Sequence, residues 1–304
     1  MILLWGLPGD DPFDAVTREL AGLGAETTIL DQRRALEQRL ELDIGDRLGG
    51  AAWLGDHRIA LDDVTAVYSR VYSARQIKHI ATAGPDAIAR VEQVESALWA
   101  WTEETTARVI NRPGAMSSNG SKPFQAARIA ACGFRTPETL ITTDPRAARA
   151  FWDQHGEVIY KSVSGVRSVV SRLGPAHRER LADVVWCPTQ FQAWVPGCDH
   201  RVHVVGAQVF AVEVISDADD YRYAERQGTT CELRPTRLPD DVAARAVATA
   251  AALELPVAGV DLRRTPDGEW YCFEVNPSPC FTYYERHTGQ PIAAAVAALL
   301  TDHQ

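Results

Sequence analysis

Short apolar runs alternate with helix-period segments over the first third of the chain. Ile2 to Gly6 is a continuous apolar run, and Phe13 to Gly22 repeats its apolar residues at helical spacing. Glu26 to Leu30 and Val64 to Val71 read as further strands, and Gly84 to Thr106 as a long helix. This rhythm predicts a small parallel sheet flanked by helices. Val109 to Gly114 reads as a strand running into a turn that closes this unit. An acid, Asp31, follows the second strand, but no G-x-G-x-x-G follows the first, so a dinucleotide-binding reading fails.

The pattern then changes. A helix from about Lys122 to Cys132 stops at Gly133, a strand over Thr136 to Thr143 leads into a helix capped by Asp144, and Glu157 to Lys161 is a short apolar strand ending in a lysine. A small, polar loop from Ser162 to Ser168 follows. Period-two alternation marks strands at Phe191 to Val195, Arg201 to Val205 and Val209 to Ile215, with Gly206-Ala207-Gln208 as a hairpin turn. Helices are predicted over Asp240 to Leu253 and Pro291 to Leu300.

Between those last helices, two apolar runs flank Pro266-Asp267-Gly268, a β-hairpin signal. Folding about that turn sets Asp261 close to opposite Glu274, while Glu274 and Asn276 point to one face. Like charges facing each other across a strand pair are destabilising, so this trio in apolar strands calls for a compensating cation. Its hard oxygens suit Mg²⁺, which binds through one or two carboxylates and completes its shell with water and nucleotide phosphates. A solvent-facing polar hairpin edge would show the same residues.

Composition narrows the classes. The 304 residues, 46% hydrophobic and 23% charged, supply a large core and predict two or three subdomains. The net charge of −9 is spread out and no basic cluster of five occurs, which argues against a nucleic-acid surface. The apolar start lacks a basic n-region and meets Asp10 and Asp11 at once, so it reads as a strand and not a signal peptide. No apolar run approaches the roughly 20 residues that span a bilayer. Six cysteines without a C-x-x-C pair are expected to be buried free thiols in a reducing cytosol.

Five segments in order carry a resemblance: Phe191-Gln192-Ala193-Trp194-Val195, Asp199-His200-Arg201-Val202, Asp220-Tyr221-Arg222, Gly259-Val260-Asp261 and Phe273-Glu274-Val275-Asn276-Pro277, followed by Thr288-Gly289. Together they resemble the ATP-grasp carboxylate–amine ligases over Val109 to Leu300. Within that family the likeness is nearest to the glutamate ligases that modify a ribosomal protein and to the graspetide macrocyclases that form ω-ester and ω-amide links. The resemblance implies an α+β ATP-grasp fold, two α+β subdomains clasping ATP, preceded by a small α/β domain. The expected division is 1–112 for that first domain, 113–190 for the central subdomain and 191–304 for the C-terminal subdomain with the metal site.

It also implies the chemistry. A carboxylate attacks the γ-phosphate to give an acyl phosphate and ADP, and an amine or hydroxyl then displaces phosphate. An anion must approach a triphosphate, so cations and oriented donors must supply most of the barrier reduction. By resemblance, Lys161 and Lys122 hold phosphates, Gln192, Trp194 and Val195 flank the adenine, and Asp199 holds the ribose. Arg201 and Arg222 face the γ-phosphate and acyl phosphate, a task suited to the planar guanidinium fork. Asp261, Glu274 and Asn276 hold Mg²⁺, as two ions, with Mn²⁺ an acceptable substitute. Surface lysines and structural ion-pair arginines are the competing readings. His200 is read as strand surface or core and not as a metal ligand.

Three departures bear on substrate. Ala193 stands where the ribosomal-protein ligases have an acid, the loop after Lys161 has only Gly165 and carries Arg167, and Pro279 and Cys280 replace the macrocyclases' Gly and Gln. Cys280 is expected to be a packed thiol, not a nucleophile. The expected partners are ATP, a carboxylate substrate and an amine or hydroxyl acceptor, with no nucleic acid and no membrane; a homodimer is left open. Joining a carboxylate to an amine on an amino acid, peptide or small molecule is the first reading. Peptide macrocyclisation and a non-catalytic nucleotide-binding protein are the alternatives.

Overall fold

The computed structural model describes residues 1–163, 171–216 and 231–302. Strands β1 (Ile2–Gly6), β2 (Thr27–Asp31), β6 (Ala66–Arg70) and β7 (Arg108–Ile110) form a wholly parallel sheet in the order β2-β1-β6-β7. Leu3, Leu4 and Trp5 are fully buried, so both faces of β1 are covered, as its unbroken apolar run requires. Helix α1 (Asp11–Gly22) starts where the Asp10 carboxylate accepts from the Phe13 N–H at 3.1 Å. Beyond the short helical turn α2 (Lys78–Ala81), helix α3 (Pro85–Glu104) covers the sheet's other flank.

One element departs from the sequence reading, which assigned no strands between Asp31 and Asp63. Strands β3 (Gln38–Ile44), β4 (Leu48–Leu54) and β5 (His57–Ala60) form an antiparallel meander there. Its middle strand carries Gly49-Gly50-Ala51-Ala52, without the β-branched residues that ordinarily announce a strand. Gly50 is required. Its φ is +124°, and a Cβ on it would stand 2.2 Å from the Glu41 carbonyl oxygen.

The short turn α4 (Pro113–Met116) and helix α5 (Lys122–Ala131) lead into the central sheet, an antiparallel set in the order β10-β9-β11-β8. Its strands are β8 (Thr139–Thr142), β9 (Val158–Ser162), β10 (Ser171–Arg172) and β11 (Thr189–Ala193). Helix α6 (Pro145–His155), capped by Asp144, and the turn α7 (His177–Arg180) lie with it.

The third sheet is antiparallel with five strands in the order β14-β13-β12-β15-β16. These are β12 (Cys198–Val205), β13 (Gln208–Ser216), β14 (Cys231–Thr236), β15 (Val257–Arg264) and β16 (Trp270–Asn276). Helix α8 (Asp240–Ala252) packs Val242, Ala246 and Ala250 against Val202, Val204, Val260 and Leu262. After α9 (Thr282–Thr288), helix α10 (Ile292–Thr301) is apolar nearly all round and buried accordingly. It shares one core with α1, β1 and β6 of the first sheet and with Val205 and Val257 of the third.

All six cysteines are free, but the expected burial holds fully only for Cys272. Cys187 and Cys280 are exposed because both sit in segments between elements. Among the described residues, no helix is long and apolar enough to cross a membrane.

The meander gives a test of backbone fit. Gly50→Ala should lower unfolding free energy by about 2 kcal/mol in urea titration, because the positive φ and the collision with the Glu41 backbone add. A change within the noise of the titration would show that β4 is not paired in this register.

Candidate active site

Antiparallel register assembles the charged row at the centre of the third sheet. Arg201 on β12 pairs with Asp261 on β15, which pairs with Glu274 on β16. Two residues along, on the same face, His203, Gly259 and Asn276 form the next row. The hairpin register expected for Asp261 and Glu274 is therefore present. Pairing then slips after Asp261, leaving Phe273 as the extra residue of a β-bulge, a device common beside active sites.

Each carboxylate has a cation beside it. Arg201 Nη1 lies 2.6 Å from Asp261 Oδ1, and Lys122 Nζ lies 3.6 Å from Glu274 Oε2. Lys122 is delivered by α5, which docks on the β16 edge where Gln125 donates to the Val275 carbonyl at 2.7 Å and accepts from its N–H at 2.9 Å. Compensating charge of the kind the sequence called for is thus supplied by the protein's own side chains.

Arg201 is held on several sides. Its guanidinium lies over Gly259, where a Cβ would come within 2.0 Å of Nη2. Its Nε donates to His203 Nε2 at 3.5 Å, and the Tyr284 ring centroid is 5.8 Å from Cζ. Complete burial, with the adjoining Arg201 charge, pushes the His203 pKa well below its ordinary value, so the ring is a neutral acceptor. His200, on the opposite face, stacks edge-on against Trp270, which fits the core reading.

Two carboxylates and an amide oxygen make an open, hard donor set that fits Mg²⁺. Asn276 Oδ1 already accepts from the Ser278 N–H at 2.9 Å, and a carbonyl oxygen retains a second lone pair. Among the described residues, no cluster of three His, Cys, Asp or Glu side chains could form a closed metal site.

A cavity of about 300 Å³ opens between α5, the central sheet and the bulge, lined by Lys122, Lys161, Gln190, Gln192, Ile141 and Phe273 among others. Lys161 stands opposite Gln190 in the β9–β11 register. Gln192 Nε2 donates to Thr139 Oγ1 at 2.9 Å, while the side-chain oxygens of Gln190 and Gln192 are buried without a partner. Buried acceptors of this kind call for a donor, as an exocyclic amine would supply.

Trp194, Val195 and Asp199 do not line that cavity. Arg263 ties them together, reaching Asp199 at 2.7 and 2.9 Å, donating to the Val195 carbonyl at 2.8 Å and lying 4.7 Å from the Trp194 ring centroid. The Asp199 carboxylate expected to hold ribose is thus engaged by a guanidinium. Arg263 was missed in the sequence, although it stands two residues from Asp261 and so shares its face. Arg222, Gly165 and Arg167 lie outside the described residues.

The pattern that defines the RimK-like ATP-grasp domain matches residues 126–300. The chain belongs to that family, whose members are ATP-dependent ligases working with Mg²⁺. Solved structures match over nearly the whole length. The macrocyclase MdnC from Microcystis aeruginosa MRC, bound with precursor peptide MdnA, is 20% identical over 99% of each chain with a TM-score of 0.84. The ATP-grasp ligase PsnB, complexed with a phosphomimetic variant of minimal precursor, Mg and ADP, is 26% identical over 98% of this chain and 97% of that one, with a TM-score of 0.82. D-cycloserine synthetase DcsG is 16% identical over 98% of each chain, with a TM-score of 0.59. A search of curated protein sequences finds no match.

Gly259 tests the row directly. Gly259→Ala should displace Arg201 from Asp261 and lower substrate-dependent ADP release by about 100-fold, the scale of losing one oriented transition-state donor. Full turnover would show that the Arg201 position is not needed.

Proposed function

We propose that this ligase tailors a precursor peptide, activating a side-chain carboxylate as an acyl phosphate and joining it to a hydroxyl or amine of the same peptide. The observation that carries this reading is the likeness to PsnB, solved with its minimal precursor, which runs through the first domain as well as the grasp. Substrate recognition is expected in that first domain. A small-molecule ligase is the second reading, and D-cycloserine synthetase represents it with a lower TM-score.

The roles follow from the chemistry of each group. Lys122 and Lys161 bind phosphate oxygens, and Gln190 and Gln192 accept from the base. Mg²⁺, as two ions at Asp261, Glu274 and Asn276, supplies positive charge against the triphosphate. Arg201, with Arg222, stabilises charge on the transferring phosphoryl group and on the tetrahedral intermediate. The His203 acceptor and the bare Cα of Gly259 keep the Arg201 guanidinium in place. The six free thiols accord with a cytoplasmic enzyme.

The test is ADP release with two sets of candidates: free amino acids, and peptides encoded beside the gene. A peptide should stimulate ADP release and lose the mass of one water for each link formed. Stimulation by a free amino acid, with every peptide inert, would favour the small-molecule reading instead.

A further inference from the structure

The first sheet has a crossover point that no ligand role has absorbed. From β1 the chain crosses through α1 to β2 on one side, and from β6 it passes through α3 to β7 on the other. The carboxyl ends of β1 and β6 therefore meet at a topological switch point, where open parallel sheets ordinarily bind a ligand. Here the chain's own segment from Pro277 to Cys280 is bonded across it.

The contacts are specific. Arg70 ends β6, with its side chain only 7% exposed, and pairs through Nε and Nη2 with Asp10, which follows β1 and is 6% exposed. Tyr72 Oη donates to the same carboxylate at 2.6 Å. The remaining reach of the guanidinium goes to the loop after β16: Nη1 donates to Ser278 Oγ at 3.0 Å and to the Pro279 carbonyl at 3.4 Å, and Nη2 lies 3.9 Å from Cys280 Sγ. One strand further, Asn111 after β7 donates to the carbonyls of Val257 and Pro277.

That loop touches the catalytic face at two points. The Ser278 N–H holds Asn276 Oδ1 at 2.9 Å. Pro279 lies with the Arg201 guanidinium over Gly259, where a Cβ would meet Pro279 Cβ at 2.9 Å and Arg201 Nη2 at 2.0 Å. We infer that Arg70 is a positioning residue for the metal and acyl-phosphate site: through Ser278 and Pro279 it fixes the Asn276 amide and the backing of Arg201. The first domain then completes the nucleotide site, besides recognising a substrate.

This inference rests on the metal role proposed for Asn276, and calorimetry of ADP binding to the full chain separates the two. ADP is titrated with EDTA and again with Mg²⁺, for the parent protein, Arg70→Lys and Ser278→Ala. Lysine keeps a positive charge beside Asp10 but cannot reach two partners as a fork, and Ser278→Ala leaves the buried ion pair untouched. Both variants should bind ADP in EDTA as the parent does, while the Mg²⁺-dependent gain in affinity falls about fivefold, the worth of one hydrogen bond. A purely structural role would lower the melting temperature and leave that gain unchanged. A gain in the parent that persists in Ser278→Ala, which keeps the fold even if Arg70→Lys does not, overturns this inference alone. Absence of the gain in the parent overturns the metal reading and this inference together.

Discussion

Two carboxylates held opposite each other on neighbouring strands set the terms for the rest of the molecule. Asp261 and Glu274 are register partners on β15 and β16, and nothing in strand pairing favours that arrangement. Without compensating charge it would oppose the hairpin that carries it. Arg201 and Lys122 provide that charge, one from the adjoining strand and one from a helix docked on the sheet edge. The function proposed above draws on the same four side chains, two carboxylates toward a metal and two cations toward phosphates.

Geometry around that row is enforced by shape as much as by charge. Gly259 leaves room for the guanidinium, His203 remains neutral to accept from it, and Gln125 fastens the edge strand so that Lys122 arrives beside Glu274. The bulge after Asp261 turns Phe273 into the cavity wall below the central sheet. Distant elements reach the same place, since α10 merges the cores of the first and third sheets and Arg70 spans from one to the other.

Much of this was legible in the chain because period-two alternation and a Pro-Asp-Gly turn fix which residues oppose one another. The Asp261–Glu274 pairing accords with that reading, whereas Lys122, Lys161 and Gln192, which line one cavity, were singled out by family resemblance alone. What escaped was set by partners distant in sequence. The meander of β3 to β5 has a glycine-rich middle strand with little intrinsic preference, and only pairing makes it a strand. Arg263 takes the Asp199 carboxylate, a pairing visible only once β12 and β15 are in register. Cys280 is exposed, not packed, in the segment between β16 and α9, with its Sγ 3.9 Å from Arg70 Nη2.

The central claim is that Glu274 faces Asp261 for a metal and not for stability. The direct measurement is the unfolding free energy of Glu274→Gln beside the parent, each alone and with saturating Mg²⁺–ADP. Because the lost pair with Lys122 is worth at most about 1 kcal/mol and the substitution also removes a like-charge opposition, the free variant should be as stable as the parent within about that margin. The stabilisation given by Mg²⁺–ADP over ADP with chelator, which follows mass action, should largely vanish in the variant. A variant that loses about 2 kcal/mol when free, as removal of a satisfied buried partner would, yet keeps the full Mg²⁺–ADP stabilisation would contradict the account.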